Sequence, residues 1–325
     1  MKTVLVTGGM GFIGSHFIRY AFNAHPDWFI VNLDKLTYAG NPRNLSDIEG
    51  NSRYEFIHGD ICDDALIARI APRAEIIVNF AAETHVDRSI DSAHDFVDTN
   101  IQGTRVLLDA VRRYGTETYL HVSTDEVYGS IKEGSFTETT PLAPNSPYAA
   151  SKAGSDLMVL AYVKTYGIPA MISRCCNNYG PYQYPEKVIP LFITNLSEKK
   201  KVPLYGSGQN VREWIHAEDH CRALDAVISN GKRGEVYNIG SNEEISNIEL
   251  TKKILKFFGL GENWVERVTD RLGHDFRYSL DSSKIAALGF RPKVRFDEGL
   301  AQTIEWYLKN EWWWQPLKKD AYTLK

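Results

Sequence analysis

The sequence has 325 residues, of which 37 are Lys or Arg and 41 are Asp or Glu, so its formal net charge is −4. A hydrophobic content of 43% argues against a disordered chain, and four cysteines in this length exclude a disulfide scaffold. The mildly acidic balance disfavours a protein that binds nucleic acid by neutralising phosphates. The length allows one large domain or two moderate ones.

The sequence contains no segment that predicts membrane insertion or export. No stretch approaches about 18 consecutive apolar residues, and the first apolar run, Val4–Val6, is too short for a signal peptide. The cysteines form no CxxC pair, so we expect reduced thiols and no metal site. These features predict a soluble, cytoplasmic protein.

Short apolar strands alternate with longer helical stretches through the first half of the chain. This alternation predicts an α/β fold, in which helices cover both faces of a doubly wound parallel sheet. The predicted strands are 4–6, 29–34, 54–58, 75–80, 118–123 and 170–174, and the longer predicted helices are 12–24, 94–114 and 148–166.

Glycines follow the first predicted strand at fixed spacing. Gly8, Gly11 and Gly14 lie in the segment TGGMGFIG, just before an amphipathic helix. This arrangement is typical of a Rossmann-type turn that brings a pyrophosphate close to a helix N-terminus. Asp34 ends the second strand, where a carboxylate binds a ribose hydroxyl and repels a 2′-phosphate. The pattern therefore favours NAD over NADP.

A tyrosine and a lysine begin the predicted helix 148–166. Tyr148 and Lys152 form a Y-x-x-x-K pair, and the i,i+4 spacing places both side chains on one helix face. Because an ammonium group favours the phenolate, we expect Lys152 to lower the pKa of Tyr148 and make it a general base.

The chain becomes richer in turn residues after Asn178, and the predicted elements become shorter and more irregular. We predict a Rossmann NAD-binding domain over 1–178, to which segments near 211–240 return. A strand predicted at 235–239 re-enters the sheet. A smaller mixed α/β C-terminal lobe, mainly 179–325, is predicted to bind the substrate.

Motifs along the whole chain resemble those of extended short-chain dehydrogenases/reductases that act on nucleotide sugars. They are TGGMGFIG at 7–14, NFAAETHVDRSI at 79–90, TN at 99–100, STDEVYG at 123–129, YAASK at 148–152 and RCCNNYGP at 174–181. The resemblance implies an NAD that stays bound and returns its hydride to the sugar. The adjacent acids Asp125 and Glu126 are similar to those of the hexose 4,6-dehydratases.

For a hexose 4,6-dehydratase, the resemblance implies a role for each of five residues. Tyr148 takes the O4 proton while C4 is oxidised, Lys152 orients the ribose, and Thr124 hydrogen-bonds O4. Glu126 removes the C5 proton, and Asp125 protonates the departing C6 hydroxyl. Asp125 must then be protonated at the start, and repulsion from Glu126 could raise its pKa.

The resemblance also implies contacts to the two ligands. An adenine contact is expected at the end of the third strand, at Asp60 and Ile61. The other cofactor contacts are Gly8, Gly11, Phe12, Ile13, Gly14, Asp34, Lys35, Thr37, Phe80, Ala81, Ala82, Thr99, Tyr148, Lys152 and Asn178. The nucleotide-diphosphate sugar is expected to contact Thr84, His85, Thr124, Asn177, Lys187, Val188, Pro203, Tyr205, Arg212, Asn247, Arg271 and His274.

Two features suggest contacts beyond the site. Helices 96–113 and 148–166 carry apolar residues on more than one side, and the family pairs them with those of a second subunit, which implies a homodimer. The three tryptophans Trp312–Trp314 are expected to pack the last helix onto the body of the protein.

Other functions remain open at this point. The chain could be an epimerase, a decarboxylase, or a dehydratase of a UDP or GDP sugar. Asp125-Glu126 argues against the first two, because epimerases lack a carboxylate pair here and decarboxylases lack the Asp. An NAD-sensing regulator without catalysis is disfavoured by the presence of both Tyr148 and Lys152. The choice of thymidine over uridine rests on the resemblance alone.

Overall fold

The computed structural model describes residues 1–270 and 273–319, which form twelve strands. In chain order these strands are β1 Lys2–Thr7, β2 Trp28–Asp34, β3 Tyr54–His58, β4 Ile76–Asn79, β5 Thr118–Thr124, β6 Ala170–Cys175, β7 Asn177–Tyr179, β8 Val202–Tyr205, β9 Val211–His216, β10 Val236–Ile239, β11 Glu244–Ser246 and β12 Val265–Val268.

Seven of the strands form one parallel sheet in the order β10-β6-β5-β4-β1-β2-β3. The six strands predicted in the first half are confirmed. The predicted returning strand is confirmed as β10, in which Val236 pairs with Ile172 of β6. The strand order reverses beside β1, and ligands of open α/β sheets lie at such points, outside the carboxyl ends of the strands.

Twelve α-helical segments accompany these strands in the described residues. They are α1 Phe12–Ala24, α2 Asp64–Ile70, α3 Val86–Asp91, α4 His94–Phe96, α5 Thr104–Tyr114, α6 Pro147–Tyr166, α7 Val188–Ser197, α8 Ala217–Asn230, α9 Asn247–Phe257, α10 Ser283–Ala286, α11 Phe296–Lys309 and α12 Glu311–Lys319. None of the helices described is long and apolar enough to span a membrane.

The helix predicted at 94–114 is present, but its middle is π-helical over Val97–Gly103. Asn100 lies in this segment, and its side chain forms hydrogen bonds with the backbone of Glu83 and with Ser151 Oγ. Single π turns are frequent at functional sites. Here the segment connects the loop after β4 to α6.

Helices cover both faces of the large sheet and enclose two apolar cores. One core includes Phe17 of α1 and Leu224 of α8. The other lies under α2, α5 and α6 and includes Leu107 and Val159. Every residue of β6 is buried, as expected for a central parallel strand.

The chain after β6 is more regular than predicted. Strands β7, β9 and β11 form a small sheet, β8 pairs with β12, and α8 and α11 each have 14 residues. The prediction of short, irregular elements is therefore wrong for the helices, whereas the strands after β6 have only three to six residues. Ala217, Cys221, Leu224 and Val227 are buried at helical spacing on α8, and this periodicity could have predicted the helix.

Two of the three consecutive tryptophans are buried and one is exposed. Trp313 and Trp314 are buried in a third core with α7, α9 and α11, which confirms that the last helix packs onto the body. Trp312 is mostly exposed.

A buried histidine predicts how stability depends on pH. His16 Nε2 donates to the Pro181 carbonyl at 2.8 Å, and burial lowers the pKa of His16 from 6.5 to about 4. Between these pH values the unfolded chain binds a proton that the folded chain does not. We therefore expect the full unfolding free energy above pH 6.5 and a loss of about 3 kcal/mol as the pH falls to 4.

Urea unfolding at fixed protein and NAD concentrations measures this dependence. His16→Gln should flatten the slope in this pH range, whereas His58→Gln, at an exposed position, should keep it. Equal slopes for His16→Gln and the unsubstituted protein would contradict the prediction.

Candidate functional site

Six parallel strands, β1 to β6, end around one cavity. Its wall includes Gly8 after β1, Asp34 at the end of β2, Phe80 after β4, Thr124 at the end of β5 and Asn177 after β6. Every residue predicted to contact the cofactor lines this cavity: Gly8, Gly11, Phe12, Ile13, Gly14, Asp34, Lys35, Thr37, Asp60, Ile61, Phe80, Ala81, Ala82, Thr99, Tyr148, Lys152 and Asn178.

The glycine-rich turn leaves no room for a side chain at Gly8 or Gly14. Gly8 has φ +72°, and a Cβ there would lie 2.6 Å from the backbone nitrogen of Ala81. A Cβ at Gly14 would lie 2.4 Å from the Gly8 carbonyl oxygen. Gly11 is the N-cap residue of α1, so no side chain caps the backbone N–H groups there, and the first turn of α1 carries no acidic residue. The helix N-terminus is thus suited to the pyrophosphate of a dinucleotide.

Asp34 is held by the backbone at the end of β2. Its carboxylate accepts hydrogen bonds from Met10 N at 2.9 Å and Leu36 N at 2.8 Å, and burial raises its pKa. Lys35 forms an ion pair with Asp60 at 2.8 Å beside it. A fixed carboxylate here fits a ribose diol and disfavours a phosphate.

The Thr-Asp-Glu segment forms a short 3₁₀ turn directly after β5. Thr124 Oγ1 accepts from Glu126 N at 3.3 Å and donates to Asp125 Oδ1 at 3.2 Å. Asp125 is 2% exposed, and its Oδ2 has no hydrogen-bond partner among residues 1–270 and 273–319. Both acids line the cavity.

The electrostatics of Asp125 suit a general acid. Burial raises the pKa of Asp125 well above its ordinary value, and the negative charge of Glu126 raises it further. The direction predicted from the sequence is confirmed. The larger cause, burial, could not be read from the adjacent acidic pair.

Tyr148 and Lys152 lie on the first turns of α6, which begins at Pro147 with Ser146 as its cap. Burial and the charge of Glu126 raise the pKa of Tyr148 far above its ordinary value. The net direction of this pKa is thus opposite to the expected one, and the lowering effect of Lys152 on it stays a prediction. Lys152 donates to the Val122 carbonyl at 2.8 Å, and burial lowers its own pKa to about 8.

The predicted substrate residues separate into two groups. Thr84, Thr124, Asn177, Lys187 and Val188 line the cavity. The other described members lie outside its wall: His85, Pro203, Tyr205, Arg212, Asn247 and His274. Arg271, together with the Leu272 that follows it, lies outside the described residues.

Arg212 is buried at the border of the site. Its terminal nitrogens donate to the carbonyls of Val211 at 2.7 Å and Asp275 at 2.9 Å, and the guanidinium lies over the ring of Tyr278. Its positive charge opposes the rise in the pKa of Asp125. The structure therefore brings Arg212 near the acidic pair, with part of its guanidinium bonded to the backbone.

Several cavity residues escaped the sequence-based prediction. Glu186 is buried and forms an ion pair with Arg88 at 3.0 Å. Because Glu186 is adjacent in sequence to Lys187, a predicted substrate contact, the sequence could have indicated it as a site residue. His220 on α8 has Nδ1 2.8 Å from Asn178 Oδ1. That contact joins residues 42 positions apart, so no local pattern predicts it.

The sheet topology, the glycine turn facing an acid, and Tyr148 with the buried Lys152 at the cavity define a nucleotide-binding enzyme of the extended short-chain dehydrogenase/reductase type. A family model described as GDP-mannose 4,6 dehydratase matches residues 5–303. The chain therefore belongs to this family.

Comparison with individual proteins shows which members of the family this chain is similar to. The chain is 53% identical over 320 residues to a dTDP-glucose 4,6-dehydratase from Streptomyces niveus, covering 97% of this chain and 95% of the relative. A dTDP-glucose 4,6-dehydratase from Streptomyces venezuelae, crystallised with NAD bound, is 55% identical, with a TM-score of 0.95 and coverage of 97% and 99%. A Thermotoga maritima UDP-glucose 4-epimerase is 29% identical, with a TM-score of 0.88 and coverage of 95% and 99%.

Proposed function

We propose that this protein is an NAD-dependent hydro-lyase that converts dTDP-glucose to dTDP-4-keto-6-deoxyglucose and water. The observation that carries the proposal is the pair of adjacent acids at the end of β5. Asp125 is buried with a raised pKa, and Glu126 lines the same cavity. Elimination across C5–C6 needs one protonated acid and one base, and this pair supplies both.

NAD would be held by the turn from Gly8 to Gly14, by Asp34 and by the other predicted cofactor residues of the cavity wall. When bound, it supplies the hydride acceptor for C4, the hydride donor for C6, and a positively charged ring that favours a tyrosinate nearby. The structure fits a bound NAD, because the turn leaves no room for side chains at Gly8 and Gly14 and because two backbone N–H groups hold the Asp34 carboxylate in place.

Oxidation of C4 comes first, because a C4 ketone acidifies the C5 proton. Tyr148 takes the proton from O4, and Thr124 hydrogen-bonds the same oxygen. Hydrogen bonds from Thr84 and Thr124 act to lower the pKa of Tyr148, against burial. Lys152, held by the Val122 carbonyl, orients the ribose and adds positive charge.

Elimination and reduction follow at C5 and C6. Glu126 removes the C5 proton, and Asp125 gives its proton to the C6 hydroxyl, which leaves as water. The hydride taken from C4 is added to C6, and Glu126 returns a proton to C5. One water is lost, and no external reductant is consumed.

We assign cofactor binding and substrate binding to different parts of the chain. We propose a cofactor domain over 1–178, with segments near 211–240 returning to it, and a substrate lobe mainly over 179–325. Lys187 donates to Thr84 Oγ1 at 3.4 Å, which joins the two units at the cavity. The remaining predicted substrate residues would then contact the nucleotide end of the sugar nucleotide.

Three nucleotide sugars test the proposal. The purified protein, without added cofactor, is incubated with dTDP-glucose, UDP-glucose or GDP-mannose, and the 4-keto product is detected by its alkaline absorbance. Tyr148→Phe is the matched control. We expect product from dTDP-glucose. Product from GDP-mannose alone would favour the activity that names the family model, and no product from a protein that retains NAD would favour a regulator.

We further propose a homodimer formed through α5, the preceding π turn and α6. Val97 is 48% exposed and Leu157 is 57% exposed, although both side chains are apolar. Leu157→Lys should shift sedimentation at micromolar concentration from dimer to monomer, because it places a charge on this face. Phe257→Lys, an equivalent change at the exposed last residue of α9, should remain dimeric. A monomeric unsubstituted protein would contradict the proposal.

We also assign the protein to the cytoplasm. Cys62, Cys175, Cys176 and Cys221 are all free, as expected in a reducing compartment. Immunodetection after cell fractionation would test this location.

A further inference from the structure

A chain of hydrogen bonds links the C-terminal helix to the glycine-rich turn. Trp313 Nε1 donates to Asn44 Oδ1 at 2.8 Å, and Asn44 Nδ2 donates to the Met10 carbonyl at 2.8 Å. The Met10 amide in turn donates to Asp34 Oδ2 at 2.9 Å. The chain begins on α12 and ends on the carboxylate that faces the cofactor cavity.

Every member of this chain is buried. Trp313 and Asn44 are each 1% exposed, so neither can exchange its partner for water in the folded protein. The amide of Asn44 uses its oxygen for Trp313 and its nitrogen for Met10, which makes it a fixed spacer between them. A buried amide oxygen that loses its donor is destabilised, so the loss of the Trp313 N–H would act on Asn44 directly.

The tryptophan ring supports the same region from a second direction. Trp313 packs against Tyr182, with ring centroids 5.6 Å apart, and Tyr182 lines the cavity. The guanidinium of Arg19 on α1 also lies over the ring of Tyr182, 4.6 Å from the ring centre. α12 therefore touches the cavity wall through Tyr182 and the turn through Asn44.

We propose that Trp313 is a positioning residue that retains NAD, acting through Asn44 on Met10 and the glycine-rich turn. The inference rests on the proposed function, in which one NAD must remain bound between the oxidation and the return of the hydride. A turn held in place opens less often, so NAD leaves more slowly.

Trp314 provides a matched control on the same helix. It is equally buried, and its Nε1 donates to the backbone carbonyl oxygen of Tyr307 at 2.9 Å, where Trp313 donates to a side-chain amide oxygen. Tyr307 belongs to α11 in the smaller lobe. Trp314→Phe therefore removes the same ring volume and the same N–H donor without disturbing Asn44.

The test measures the rate at which the holoenzyme exchanges bound NAD for labelled NAD. We expect exchange to be about 10-fold faster in Trp313→Phe than in Trp314→Phe, at similar thermal stability. Asn44→Asp, which keeps the acceptor for Trp313 but loses the donor to Met10, should also exchange faster. In the double variant Trp313→Phe/Asn44→Asp, the effects should be less than additive, because both changes break one chain.

The outcomes separate the inference from the proposed function. Equal exchange rates in Trp313→Phe and Trp314→Phe, in an enzyme that makes the 4-keto product, would overturn the inference alone. If Trp313→Phe does not fold, a normal exchange rate in Asn44→Asp would overturn it as well. Accelerated exchange in a protein whose unsubstituted form makes no product would support the inference and overturn the proposed function.

Discussion

Glu126→Gln should lower formation of the 4-keto product by about 1000-fold, while substrate still reduces the bound cofactor. The amide cannot remove the C5 proton, so the reaction stops after oxidation. In the proposed mechanism oxidation uses Tyr148, whose pKa is raised by burial and by the charge of Glu126. Loss of that charge lowers the pKa of Tyr148, so cofactor reduction in the variant should persist to lower pH. Single-turnover absorbance of the reduced cofactor and product assays measure the two steps separately.

Glu133→Gln is the control for Glu126→Gln, because Glu133 is exposed and lies outside the cavity wall. It should show the unsubstituted rate in both assays. Product formation by Glu126→Gln at the unsubstituted rate would show that Glu126 is not the C5 base. Loss of both cofactor reduction and product would assign Glu126 to the oxidation step instead.

Gly14→Ala should weaken NAD retention by about 10- to 100-fold and lower product formation in parallel. The new Cβ would lie 2.4 Å from the Gly8 carbonyl oxygen and 2.8 Å from the Gly9 Cα. Both are backbone atoms, so the turn itself must move, and with it the helix N-terminus that would face the pyrophosphate. The measurement is the NAD content of the purified protein after extensive dialysis.

Gly261→Ala is the control for Gly14→Ala. A Cβ at Gly261 would have a side-chain atom, Asn263 Oδ1, as its nearest neighbour at 3.2 Å, and its φ is −102°. This variant should retain NAD as the unsubstituted protein does. If Gly14→Ala also retains its NAD, the close packing of the turn is not required for cofactor binding.

The cofactor half of the site could be predicted because its signals are local. Each strand can be recognised by a short apolar run, and parallel strands bring their carboxyl ends to one edge of the sheet. Asp34, Asp60 and Thr124 each end or follow such a strand, and all three line the cavity. Once the strands are assigned, the topology brings these residues together without further information.

The strands of the parallel sheet, the glycine turn and the acidic pair could thus be recognised in the sequence, because each depends on neighbours a few positions apart. The tertiary structure sets the direction of the pKa of Tyr148, since burial and the negative charge of Glu126 raise it. It also decided that Arg212 bonds backbone carbonyls at the border of the site. The contact between Trp313 and Asn44 spans 269 positions, and a hydrogen bond over that separation exists only because α12 folds against the turn that follows β2.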